Sequence, residues 1–127
     1  MTGNAIHSRS TLNFDLDGAL ERLGGDEGFL TEVGQLFVDC SPAMVNDIRV
    51  ALARSDSNAA QRAAHNLKGS VSNFGALALV ELLQKLEAAA LARDFHTAKE
   101  LFRSVETGIH DLTQILLSWI AGEQVSG

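Results

Sequence analysis

Apolar residues recur three and four positions apart through most of this chain, the period of amphipathic helices rather than of strands. Phe14 to Leu23 reads as a short first helix, capped by Asn13 or Asp15 and stopped by Gly24-Gly25. Asp26 then caps a longer helix with inward positions at Phe29, Leu30, Val33, Leu36, Phe37, Cys40, Met44, Ile48 and Leu52. The spacing stays in phase across Pro42, which predicts one helix bent at the proline, although Ser41-Pro42 could also cap a fresh start. Asp56 caps the next helix, which runs to about Asn73 and ends in a reversal at Gly75. A following helix covers about Ala76 to Arg93, with Leu79, Leu82, Leu83, Leu86 and Ala90 inward. Asp94 caps the last, whose stripe of Ala98, Leu101, Phe102, Val105, Ile109, Leu112, Leu116 and Trp119 ends near Ala121.

Four long helices with short connections predict an all-α, antiparallel up-down-up-down four-helix bundle with a short extra N-terminal helix. The expected organisation is a mobile leader at 1–12, one bundle domain at 13–121 and a mobile tail at 122–127. A chain of 127 residues with 46% hydrophobic content is large enough for one real core, and a single proline with no tyrosine suits helices better than sheets. The net charge of −6 argues against general nucleic-acid or anionic-membrane binding. No apolar run approaches the roughly 20 residues of a membrane span, and the polar first dozen residues lack a secretory core, so the expected compartment is the cytoplasm. Cys40 is the single cysteine, which fits a reducing compartment, and between Val38 and Met44 it reads as a buried structural thiol.

One segment departs from plain scaffold. At about 100° per residue, Ala60, Ala63, Ala64, Leu67, Val71 and Phe74 fall within roughly 50° of a common direction, while His65 falls about 140° away. Gln61, Arg62, Gly69 and Ser72 share that outward side, with Lys68 on its flank. Glycine in a helix interior costs roughly 1 kcal/mol relative to alanine, so Gly69 in mid-helix needs a reason. An open approach to the imidazole supplies one. Lys68, three residues on, can bring a positive charge to a group carried on the ring.

His65, Leu67, Lys68, Gly69, Ser70, Asn73, Gly75 and Ala76, fixed within the twelve positions 65–76, resemble the motif of the histidine-containing phosphotransfer (HPt) domain of bacterial two-component phosphorelays. The helix order and the Leu86-Glu87 step on the next helix are similar to the family as well. Val71 departs from it, since many members carry a small polar residue there, but it points to the core. The resemblance implies that His65 is the phosphoacceptor, with Lys68 on the phosphoryl oxygens and Glu87 at a position where the family often has an acceptor for the imidazole. From the residues alone Glu87 reads equally as a solvated surface acid. Gln61, Arg62, Gly69 and Ser72 would form the docking face, and Gly75 with Ala76 the structural turn.

Imidazole suits this chemistry, because a neutral ring nitrogen attacks phosphorus and a hydrogen bond to Nδ1–H leaves Nε2 free to react. The chain itself carries no nucleotide loop: Gly24-Gly25-Asp26-Glu27-Gly28 lacks the flanking strand and the Lys-Ser/Thr of one. A histidine kinase with its own ATP site is thereby excluded. The expectation is a carrier without kinase activity that binds no cofactor of its own. As the resemblance implies, receiver domains bring the nucleophilic aspartate and Mg2+, and a hybrid sensor histidine kinase stands upstream; a monomer is expected because self-association would occlude the histidine face. His7 falls in the leader, and His96 and His110 read as lacking a ligand at i+4; Glu106 precedes His110 by four without a second such pair, so no metal site is expected. The competing class is a non-catalytic helical interaction module, which accounts for the size and acidity but not for an exposed histidine beside a mid-helix glycine.

Overall fold

The computed structural model describes Gly18, Leu20, Glu21 and residues 24–122, and these contain four long helices. They are α1 (Glu27–Ala53), α2 (Ser57–Ser72), α3 (Leu77–Leu91) and α4 (Phe95–Ile120). Gly18, Leu20 and Glu21 are helical, but the rest of the expected 14–23 helix, the leader at 1–12 with His7, and residues 123–127 lie outside the described residues.

Three of the four helices begin as the aspartates dictate. Asp26, Asp56 and Asp94 accept from the backbone N–H of Phe29, Ala59 and Thr97, which satisfies one of the donors that a helix start leaves without an intrahelical partner. The connections before α2 and α4 reuse one device. Ser55 and Arg93 take left-handed backbone angles (φ 53° and 59°). Each lets the next residue, an aspartate, donate its N–H back to a carbonyl five residues earlier, Asp56 to Ala51 and Asp94 to Ala89. The connection into α3 turns instead on Gly75, at φ 65°, where a side chain would be strained.

Short turns make consecutive helices antiparallel, and α1 packs on α2 and α4 while α3 packs on the same two. Leu30, Ile48, Leu67, Phe74, Leu79, Leu83, Leu86, Leu112 and Leu116 fill the centre, fully shielded from solvent. Phe37 meets Phe74 edge to face at 5.4 Å, tying α1 to the end of α2. Ser57, buried at the start of α2, donates to the carbonyl of Ala90 at 2.6 Å and fastens α2 to α3 at the opposite end.

The α1 stripe needs correction. The helix is continuous through Pro42, as the unbroken phase predicts, but its inward line runs through Leu30, Gly34, Phe37, Ser41, Val45, Ile48 and Leu52. Phe29 and Leu36 are exposed, and Val33 and Met44 are half-buried. Cys40 is exposed, not a buried thiol. The cause is that small residues hold the centre of the stripe: Gly34 and Ser41 face inward, and a carbon added at Gly34 would sit 3.4 Å from Leu116. A stripe drawn through the largest apolar side chains therefore rotates away from the true contact line. No described helix is long and apolar enough to cross a membrane.

Candidate functional site

The site is built on facing turns of α2 and α3. Core residues Ala60, Ala64, Leu67 and Val71 fix the rotation of α2, and this sets His65 outward with its side chain 62% exposed. Leu83, Leu86 and Ala90 fix α3 in the same way and bring Glu87 to the edge of the α2–α3 seam. The Glu87 side chain is only 13% exposed. Of its two readings from sequence, the solvated acid does not match.

Three α2 side chains converge on that carboxylate. Gln61 Nε2 donates to Oε1 at 2.8 Å. His65 Nδ1 stands 3.3 Å from the same oxygen, and Lys68 Nζ lies 2.8 Å from Oε2. Residues 61, 65 and 68 follow an i, i+4, i+7 line, which is why one glutamate can meet all three. Burial pushes the Glu87 carboxyl up, but the hydrogen bonds from Lys68 and Gln61 and the charges of Lys68 and His65 outweigh it, so its pKa falls below the ordinary 4.5. Glu87 is therefore an anion at neutral pH, facing the Nδ1 side of the imidazole.

The remaining expected site residues divide into two groups. Gly69 is open, with nothing within 4 Å of a carbon added there, and Arg62 and Ser72 are exposed beside it. Ser72 turns its hydroxyl to the Gly69 carbonyl at 2.7 Å. Gly75 and Ala76 form the turn, Ala76 being fully buried. Gln61, by contrast, is half-buried and engaged with Glu87 rather than presented outward, and Lys68 is an ion-pair partner with a side chain 21% exposed. The spacing of Gln61 four residues before His65 carried that signal, but only α3 shows what the two share.

Elsewhere, Glu100 does stand at i+4 from His96, with Nε2 and Oε2 3.4 Å apart, contrary to the reading that His96 lacks such a neighbour. Both are largely exposed, and among the described residues no group of three or more His, Cys, Asp or Glu could hold a metal.

A family model described as the Hpt domain matches residues 32–118, which include the whole α2–α3 site and most of the chain. The chain belongs to the Hpt domain family. Membership implies histidine phosphotransfer within a phosphorelay, in company with receiver domains and kinases. The fold agrees with two solved Hpt structures. Histidine-containing phosphotransfer protein B from Pseudomonas aeruginosa PAO1 is 23% identical with a TM-score of 0.77, over 86% of this chain and 95% of that one. The HPT domain of a sensor hybrid histidine kinase from Shewanella is 19% identical with a TM-score of 0.73, over 89% of this chain and 96% of that one. No curated protein sequence matches the chain.

Proposed function

We propose that this Hpt domain is a phosphorelay intermediate in which His65 takes a phosphoryl group from the aspartyl phosphate of one receiver domain and passes it to the aspartate of another. The observation that carries this reading is the orientation of the imidazole. Nδ1 faces the Glu87 carboxylate at 3.3 Å while the ring stays 62% exposed, so Nε2 is the nitrogen a visiting group can reach.

In the forward step the lone pair of neutral Nε2 attacks phosphorus, the Nε2–P bond forms, and the bond from phosphorus to the aspartyl oxygen breaks, releasing a carboxylate on the receiver. Nδ1 keeps its proton, so the phosphorylated ring carries a positive charge. Glu87, already ionised and beside Nδ1, lowers the energy of that charge. Lys68 lies three residues away on the same helix and exchanges its contact with Glu87 for the phosphoryl oxygens. Gly69 leaves room for the receiver's surface, with Arg62 and Ser72 at the rim. Mg2+ would be held by the receiver and would neutralise phosphoryl oxygens there, while this chain contributes neither a metal of its own nor an ATP site. It works as a monomer in the cytoplasm, downstream of a hybrid sensor histidine kinase.

Incubation with a phosphorylated receiver domain and Mg2+ tests the assignment. The expected product is an acid-labile, base-stable label on His65, lost to background in His65→Gln while receiver binding and helicity persist. A label that survives in that variant overturns it.

A further inference from the structure

Gln61 holds the same carboxylate oxygen that faces His65, and we infer that it is a positioning residue for the phosphoacceptor rather than part of the docking face. The inference rests on the proposed role of His65. Gln61 and His65 lie one turn apart on α2, and both meet Glu87 Oε1, the amide at 2.8 Å and Nδ1 at 3.3 Å. Lys68 occupies the other oxygen at 2.8 Å. A carboxylate on a three-torsion side chain is free to rotate unless both ends are held. Here the Gln61 amide holds Oε1 by a hydrogen bond and the Lys68 ammonium holds Oε2 by charge, so the directional restraint that aims Oε1 at Nδ1 comes from Gln61. The half-burial of Gln61 restricts the amide in turn.

The two donors differ in what phosphorylation does to them. A phosphoryl group on Nε2 attracts the Lys68 ammonium strongly, because charge-assisted hydrogen bonds to phosphate are the stronger kind. The neutral amide of Gln61 has far less to gain by leaving Glu87. When Lys68 turns to the phosphoryl oxygens, Gln61 is the donor that keeps Oε1 opposite Nδ1–H. It thus preserves the tautomer before transfer and the counter-charge after it.

The test reads the ring directly. Nitrogen-15 NMR of His65 at neutral pH gives the proportions of the Nδ1–H and Nε2–H forms in the unphosphorylated chain. Gln61→Met keeps the length and helix preference of the side chain but removes the donor, and should shift the ring toward Nε2–H by at least half the shift seen in Glu87→Ala. A structural role would lower the melting temperature without moving the tautomer. A ring spectrum of Gln61→Met that matches the unmodified chain, or a shift toward Nδ1–H, overturns the inference. No receiver is present in this measurement, so its outcome is independent of whether His65 is shown to accept phosphate.

Discussion

Among the described residues, two inter-helix clusters pair a carboxylate with a cation, and they are not alike. Arg49 on α1 meets Glu106 on α4, with the guanidinium also donating to Asn46 and lying 5.6 Å from the Phe102 ring centre. Its partners are 50% and 38% exposed. The Glu87 cluster is more enclosed, at 21% for Lys68 and 13% for Glu87, and it gathers three side chains from one helix on a single acid. An exposed pair is screened by water and fastens two helices weakly. A half-buried acid with converging donors is held in one orientation, and here the held oxygen faces an exposed imidazole. The second cluster orients an exposed imidazole as well as joining helices.

Removing the acids should separate the clusters most clearly. Glu87→Ala leaves Lys68 partly buried without its counter-ion and is expected to lower unfolding free energy by about 1–2 kcal/mol, between the values for exposed and fully buried pairs. Glu106→Ala should cost under about 1 kcal/mol, since Arg49 can turn to water and keep its stacking on Phe102. Urea unfolding of the two variants checks the ordering; equal losses would mean that enclosure does not distinguish them.

Acid provides a finer probe. The folded-state pKa of Glu87 lies below its ordinary 4.5, so its contribution to stability is complete above about that pH and disappears as the pH falls through the lower folded value. Glu87→Gln should therefore flatten the loss of stability below pH 4.5 relative to the parent chain. Thermal melts across pH 3 to 8 would show it, and an unaltered acid limb would assign the titration to other carboxyls.

How far the sequence could be read follows the same division. The three aspartate caps, the Gly75 reversal and the outward setting of His65 were legible because each is a local matter of backbone donors or helix phase. The phase of α1 was not, because Gly34 and Ser41 are small and only the neighbouring α4 makes them core. Nor were the left-handed turns at Ser55 and Arg93, where neither residue type announces a positive φ. At the site, His65, Lys68 and Gly69 could be singled out within one helix, whereas the bond from Gln61 to Glu87 joins residues 26 positions apart and required the packing of α2 on α3.

The smallest effect concerns access. Arg49 and Glu106 have Phe102 and Asn46 as neighbours, whereas beside His65 stands Gly69, with open space where its side chain would be. If that space serves stability alone, filling it should only help. Gly69→Ala removes the helix-interior penalty of glycine and meets no atom, so a gain of about 0.5–1 kcal/mol in unfolding free energy is expected. Gly69→Gln should retain most of that gain, because the longer side chain also projects into solvent. Their effects on transfer should part: a methyl group slows phosphoryl uptake from a receiver by less than about threefold, on the order of 0.6 kcal/mol, while the glutamine slows it by tenfold or more. Transfer rates that follow stability in both variants would show that the bare backbone beside His65 has no part in admitting the partner.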